Sequence, residues 1–84
     1  MIHYAPLLCV EILSPEDRIS DLQDKVADYT NMGVTSIWII DPLKRIGYDA
    51  SLKGFLQPAD GILRVAETLI ALSLREVFAE LDEF

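Results

Sequence analysis

The 84-residue chain carries seven Lys and Arg residues against fourteen Asp and Glu residues, a formal net charge of −7. This charge argues against a protein that grips nucleic acid by bulk electrostatic attraction, because that attraction depends on Lys and Arg. The length allows one small domain, or part of one, over residues 1–84. The 51% hydrophobic content excludes a disordered chain and predicts apolar surface for a partner, so we expect a homodimer or higher homo-oligomer.

Single residue types exclude further kinds of site. Cys9 is the one cysteine, which rules out an intramolecular disulfide and a cysteine metal cluster, and we interpret it as a small buried hydrophobe. His3 lies near the amino terminus and is assigned no role. Neither a signal peptide nor an apolar run approaching about 20 residues is present. The sequence therefore predicts a cytoplasmic protein without a membrane span.

An apolar strand is predicted between Leu7 and Leu13, and one acidic residue, Glu11, interrupts it. The composition is typical of a strand buried on both faces of a sheet. An ionised carboxylate there is costly unless a cation, a metal or several hydrogen-bond donors meet it. Glu11 therefore belongs to a functional site, or it lies half-exposed at the end of the sheet or in a structural ion pair.

A helix is predicted from about Asp17 to about Met32. Ser14 is the candidate N-cap and Pro15 the first helical residue, and Gly33 is expected to close the helix in the left-handed conformation. The apolar positions at steps of three or four, which should form the face packed on the sheet, are Ile19, Leu22, Val26 and Tyr29.

Three side chains follow one another at four-residue steps along this helix: Asp21, Lys25 and Tyr29. The stem of Lys25 can lie along the packed surface while its ammonium group reaches over the strand that holds Glu11. The alternative is an ordinary intrahelical ion pair of Asp21 with Lys25 beside a boundary tyrosine. Spacing alone favours the alternative.

After the helix, Val34 to Ile40 forms a second apolar strand, which should be parallel to the first because a helix separates them. Trp38 is interpreted as a core residue, and Asp41 as a turn residue before Pro42. Arg45 to Ala50 should return antiparallel as a hairpin.

The last third of the chain predicts short strands and a helix. Strands are expected at 55–57 and 62–65, while 67–72 is ambiguous between strand and loop. Ser73 and Glu76 should form the capping box of a terminal helix, whose apolar face is Leu74, Val77, Phe78 and Leu81. The predicted fold class is α/β, a mixed sheet of about four to five short strands with one central helix and a short C-terminal helix.

The ordered set of motifs resembles one bacterial family. The set comprises APLLCVEILSP from Ala5 to Pro15, then Asp21, Lys25 and Tyr29, then Gly33-Val34, and WIIDP from Trp38 to Pro42. It is similar to the Uma family of restriction endonucleases, a branch of the PD-(D/E)XK nuclease superfamily. The resemblance covers nearly the whole chain and implies part of a restriction-endonuclease-like core.

The resemblance implies hydrolysis of phosphodiester bonds in DNA with bound Mg²⁺ or Mn²⁺. Glu11 matches the acid of the (D/E)XK strand and would be a metal ligand. Leu13 stands where the general motif has its lysine, and the family pattern moves that lysine to the following helix, where Lys25 stands. Glu11 and Lys25 are thus the implied catalytic residues, with Asp21 and Tyr29 in support.

The chain also departs from the family. Full-length members bring their first metal-binding aspartate from a strand upstream of the one matched by Glu11, and we expect that strand to be absent here. Pro6 is followed by Leu7 rather than by an aspartate. One acid remains where the mechanism needs at least two, so the second must come from an associated chain or an amino-terminal part. Otherwise the chain is a catalytically silent oligomeric remnant or interaction module. The scattered Lys and Arg residues predict weak DNA binding.

Overall fold

The computed structural model describes residues 7–82 and shows a mixed α/β fold. The elements, in chain order, are β1 (Leu8–Ile12), α1 (Ile19–Asn31), β2 (Ser36–Asp41), β3 (Ile46–Ser51), β4 (Gly54–Leu56), β5 (Ile62–Arg64), β6 (Ala71–Ser73) and α2 (Leu74–Leu81). The predicted fold class is confirmed. One detail differs, because β5 and β6 form a two-stranded sheet of their own beside the four-stranded sheet β1-β2-β3-β4. His3, Ala5 and Pro6 lie outside the described residues.

The main sheet begins with the predicted crossover. β1 and β2 are parallel, with Glu11 beside Ile39, and β2 and β3 are antiparallel, with Ile39 beside Tyr48. Asp41 holds the hairpin turn, since its Oδ1 accepts hydrogen bonds of 3.0 Å from the backbone N–H groups of Leu43 and Lys44. The turn role predicted for Asp41 is therefore confirmed.

Within residues 7–82, β1 lies at the edge of the main sheet, and the prediction that it is buried on both faces is wrong. Its one partner among residues 7–82 is β2. Val10 and Ile12 are 46% and 60% exposed. An apolar run that contains a single glutamate does not by itself distinguish a central strand from an edge strand with exposed side chains.

α1 begins later than predicted. Its N-cap is Arg18, which makes no side-chain capping hydrogen bond. Ser14 instead closes a turn with Asp17: the Ser14 N–H donates to the Asp17 carboxylate over 2.8 Å, and the Asp17 N–H donates to the Ser14 carbonyl over 3.1 Å. Pro15 suits this turn because its ring presets φ. At the other end Gly33 has a φ of 92°, as predicted.

α2 begins as predicted. The Ser73 hydroxyl accepts a hydrogen bond of 3.4 Å from the backbone N–H of Glu76, which is the N-cap half of the expected capping box. The segment 67–72, which the sequence left open, is irregular to residue 70 and then enters β6. Of the predicted apolar face, Leu74 and Phe78 are buried, whereas Leu81 is 46% exposed.

Two apolar clusters cover the two faces of the main sheet. The α1 face is the side covered by α1, and its buried residues are Leu22, Val26, Val34, Ile37, Ile39 and Ala50. The α2 face is the side covered by α2 and the small sheet, and its buried residues are Trp38, Ile40, Leu63, Val65, Leu74 and Phe78. β2 supplies both clusters in alternation, because successive strand side chains point to opposite faces. Trp38 is a core residue, as predicted.

Candidate functional site

Three polar side chains meet on the α1 face beside the edge strand. Glu11 comes from β1, and Lys25 and Tyr29 come from α1. The Lys25 Nζ lies 3.5 Å from Glu11 Oε2, and the Tyr29 hydroxyl donates a hydrogen bond to Glu11 Oε1. The structure thus brings together three of the four site residues predicted from the sequence, although their roles stay predictions.

The spacing of residues along β1 and along α1 explains why these three side chains lie together. Cys9 and Leu13 pack against the α1-face cluster, so Glu11, which lies between them at a period of two, points to the same face. Buried Leu22 and Val26 hold α1 on the sheet. Lys25 and Tyr29 are four residues apart and therefore lie on one side of that helix, which here is the side above β1.

The cluster is partly shielded from solvent. The side chain of Glu11 is 21% exposed, whereas that of Lys25 is 47% exposed. The hydrogen bond to Glu11 and, secondly, burial raise the pKa of Tyr29 from 10.0 to about 12. A phenol is protonated at neutral pH with either pKa, so Tyr29 donates to the carboxylate there, and the raised pKa extends this to more alkaline solution. A carboxylate offers about four lone-pair sites, so Glu11 retains capacity for another ligand.

Asp21 is not part of this cluster. It is exposed in the first turn of α1. Within residues 7–82, the ion pair of Lys25 is formed with Glu11, and Asp21 takes part in none. The ordinary intrahelical pair that spacing alone favoured is therefore not what the helix forms.

The direct contact between Tyr29 and Glu11 was missed by the sequence reasoning, which gave Tyr29 only a supporting place. The available signal was the four-residue step from Lys25 to Tyr29, which puts both side chains above the same strand. Sequence spacing alone does not specify how far along β1 the helix lies. That offset decides which strand residue the hydroxyl meets.

The described residues fit a metal ion only in part. Mg²⁺ and Mn²⁺ prefer carboxylate oxygens, so Glu11 suits one coordination position. Within residues 7–82, however, no group of three His, Cys, Asp or Glu side chains is placed to hold a metal ion. The segment supplies one ligand and does not form a complete metal site.

A large apolar pocket lies elsewhere on the α1 face. It measures about 720 Å³, lies beyond the carboxyl ends of β1 and β2, and is lined by Leu13, Leu22 and Tyr48 among others, but not by Glu11. Its two carboxylates, Asp17 and Asp41, both accept hydrogen bonds from backbone N–H groups of their own turns. The candidate functional site is therefore the Glu11 cluster rather than the larger pocket.

Part of the positive charge within residues 7–82 is neutralised by ion pairs. Two arginines are already in ion pairs, Arg45 with Asp82 and Arg64 with Asp60. Such pairing leaves less positive charge for phosphate groups. Nor does any helix within residues 7–82 combine the length and apolarity needed to cross a membrane.

Comparisons with known proteins agree with the fold. The Uma2 family model, described as "Putative restriction endonuclease", matches residues 2–82. The crystal structure of a "putative nuclease belonging to DUF820" from Anabaena variabilis ATCC 29413 superposes with a TM-score of 0.71 and 22% sequence identity. The match covers 92% of this chain and 46% of that chain, so this chain spans just under half the length of that protein. At this identity the likeness shows the fold alone. No curated protein matches the chain.

Proposed function

The chain belongs to the Uma2 family, described as "Putative restriction endonuclease", and we propose that it carries part of a metal-dependent nuclease centre. Glu11 is the metal ligand, Lys25 the cationic catalytic residue, and the substrate is the phosphodiester backbone of DNA. The observation that supports the proposal most directly is the ion pair of 3.5 Å between Lys25 Nζ and Glu11 Oε2 on the edge strand.

The three side chains have separate tasks in this proposal. Glu11 would hold a Mg²⁺ or Mn²⁺ ion through its remaining lone pairs, and the chemistry supplied by the ion would be polarisation of the phosphate and a lower pKa of water. The half-exposed ammonium group of Lys25 holds a water or phosphate oxygen by a charge-assisted hydrogen bond. Tyr29 is a positioning residue, because its hydroxyl holds the Glu11 carboxylate in one orientation.

The proposal requires a second acid, because residues 7–82 supply one metal ligand at this place. That acid comes from an associated chain or from an amino-terminal part of the protein. With a net charge of −7, the chain binds DNA weakly and mainly through the bound ion, which supplies the local positive charge. We place this activity in the cytoplasm.

Calorimetric titration of Mn²⁺ tests the metal site without a DNA substrate. We expect saturable binding to the unaltered chain and its loss in Glu11→Gln, which removes the charge but keeps the size of the side chain. Glu16→Gln is the matched control, because Glu16 is an exposed acid in the turn before α1. Equal binding to all three chains would place the ion elsewhere on the acidic surface.

Nicking of supercoiled plasmid DNA with Mn²⁺ then tests the role of Lys25. We expect Lys25→Ala to keep Mn²⁺ binding and to lose whatever cleavage the unaltered chain shows, since Lys25 acts on oxygen atoms rather than on the ion. Cleavage that survives in both Lys25→Ala and Glu11→Gln would indicate a contaminating nuclease and contradict the assignment.

A second candidate is a catalytically silent interaction module. It is favoured by one observation: both carboxylate oxygens of Glu11 already have partners within the chain, Lys25 and Tyr29. In that case the cluster is a structural ion pair, which contributes little to stability but is costly to break by removing one partner. Absence of Mn²⁺ binding would overturn the catalytic proposal for the 84-residue chain by itself and would favour this candidate for it.

A further inference from the structure

The large pocket on the α1 face has the size and the lining of a small-molecule site. Its volume of about 720 Å³ falls within the roughly 300–1,000 Å³ that is typical of such sites. Leu22 and Ile39 line it and are only 4% and 1% exposed, so they form its floor. Small-molecule sites combine an apolar lining with a few polar groups, and the polar groups decide which ligand fits.

Two aromatic rings form part of the wall of this pocket. Tyr48 comes from β3 and Phe55 from β4, and their ring centroids lie 6.2 Å apart with the ring planes tilted by 48°. Both side chains lie on the α1 face, because Phe55 pairs with Ala50 of that face and Tyr48 precedes Ala50 by two residues. The face of an aromatic ring carries negative partial charge and attracts cations. The wall therefore suits an apolar ligand body and disfavours an anion beside the ring faces.

Two aspartates are held at the pocket by their own turns. Asp17 Oδ2 accepts a hydrogen bond of 2.8 Å from the Ser14 N–H. Asp41 Oδ1 accepts hydrogen bonds of 3.0 Å from the N–H groups of Leu43 and Lys44. These bonds fix the orientation of both carboxylates, and each carboxylate has a second oxygen that accepts no hydrogen bond from residues 7–82. The two aspartates can therefore accept further hydrogen bonds from a ligand without giving up their turns.

The charge of the pocket lining is negative. Its charged groups are two carboxylates and one ammonium group, those of Asp17, Asp41 and Lys44. Lys44 forms no ion pair within residues 7–82, so its ammonium group is not drawn onto either carboxylate. The lining thus has one negative charge in excess, in a chain whose net charge is −7. A ligand that brings a positive charge is attracted by this field, whereas an anion is repelled.

We propose that this pocket binds an amphipathic organic cation, an aryl- or alkylammonium ion. Its apolar body lies against the rings of Tyr48 and Phe55, and its ammonium group donates charge-assisted hydrogen bonds to the second carboxylate oxygens of Asp17 and Asp41. The apolar lining, the aromatic wall and the excess negative charge each favour this class over a neutral or anionic ligand of the same size. Glu11 does not line the pocket, so this site is separate from the proposed nuclease centre.

Three probes that share a phenyl body test the charge of the ligand. Phenethylammonium is cationic, phenethyl alcohol is neutral and hydrocinnamate is anionic. Each is titrated at low ionic strength into the isotopically labelled 84-residue chain, and NMR shifts of the backbone amides report both affinity and position. We expect the cation to bind at least about three-fold more tightly than the alcohol and the anion to bind more weakly than both. The largest shifts are expected at Ile39, Tyr48 and Phe55. Equal or tighter binding of the alcohol or the anion would overturn the proposal.

Variants of the charged residues test which groups recognise the cation. Asp17→Asn and Asp41→Asn each remove one charge and keep an oxygen that can accept the hydrogen bonds of the turn. We expect each variant to weaken the binding of phenethylammonium by about two- to five-fold. Lys44→Gln removes the competing positive charge and should strengthen the binding by a similar factor. The matched control is Asp28→Asn, which changes the net charge equally at an exposed residue of α1 that does not line the pocket.

Three outcomes of these titrations would overturn the assignment. Weaker binding of phenethylammonium to Lys44→Gln would mean that the pocket does not select a cation. An equal loss of affinity in Asp28→Asn and Asp41→Asn would mean that the probe responds to the net charge of the chain and not to the pocket. The third outcome is that no probe shifts any amide of a chain that circular dichroism shows to be folded, and sedimentation velocity would then show whether a second copy of the chain covers the pocket instead.

Discussion

The two faces of the main sheet are built from the same kind of apolar core but differ at β1. On the α2 face, a helix and a small sheet close over Trp38 and Ile40, and the buried side chains are all apolar. On the α1 face, the single helix covers the middle of the sheet and meets Glu11 at its margin with an ammonium group and a phenol. The polar cluster therefore lies where the apolar cover ends, because a carboxylate there can keep partial solvent contact.

Truncating one buried residue on each face should lower stability the most, and it tests whether the two faces unfold as one cooperative unit. Ile39 and Leu63 are each 1% exposed and lie in opposite clusters. We expect Ile39→Ala and Leu63→Ala each to lower the free energy of unfolding by about 2–5 kcal/mol, as large-to-small core changes do. Urea denaturation followed by Trp38 fluorescence and circular dichroism measures both.

Both probes should report a single transition, because β2 contributes side chains to both clusters. A separate, earlier transition in Leu63→Ala alone would contradict a single cooperative unit. It would mean that α2 and the small sheet unfold independently of the sheet they cover.

The next effect probes how closely the α2 face is packed. A Cβ added at Gly47 would lie 2.5 Å from Leu74 Cδ2 and 2.8 Å from Leu74 Cδ1, and the buried Leu74 has little room to retreat. We expect Gly47→Ala to lower the free energy of unfolding by about 1–3 kcal/mol through overpacking. The control is a double-mutant cycle with Leu74→Ala. If Gly47→Ala lowers the free energy of unfolding equally with and without Leu74→Ala, the added Cβ does not clash with the Leu74 side chain.

The smallest effect concerns the α1 face. We expect Tyr29→Phe to lower the free energy of unfolding by about 1 kcal/mol, because a partly buried carboxylate loses a donor. Tyr48→Phe is the matched control, since Tyr48 also packs against the α1-face cluster and its hydroxyl forms no hydrogen bond to another described residue. An equal loss of unfolding free energy in Tyr29→Phe and Tyr48→Phe would mean that the hydrogen bond from Tyr29 to Glu11 does not stabilise the fold.

The stabilising effect of the Tyr29 hydroxyl should depend on pH. The pKa of Tyr29 is raised from 10.0 to about 12 in the folded chain, so the folded state binds the phenol proton more tightly than the unfolded state. The advantage of the unaltered chain over Tyr29→Phe is therefore complete below about pH 10 and declines toward about pH 12. Urea titrations across this range measure the difference, and a constant difference would contradict the hydrogen bond to Glu11.

Local features were predictable because they depend on neighbours in sequence. The hairpin turn at Asp41, the left-handed Gly33 and the cap at Ser73 each rest on hydrogen bonds or dihedral angles within a few residues. The same dependence on near neighbours in sequence explains why the predicted start of α1 was wrong. Ser14 and Pro15 suit a helix start and a turn equally well, and the turn with Asp17 formed instead.

Alternation along the sequence places Glu11 in an apolar strand, and the four-residue spacing places Lys25 and Tyr29 on one side of a helix. Three further features depend on long-range contacts: within residues 7–82 β1 lies at the edge of the main sheet, β5 and β6 form their own sheet, and the Tyr29 hydroxyl reaches Glu11. Strand pairing and helix offset arise from contacts between residues far apart in the chain, and hydrophobic periodicity does not encode these contacts.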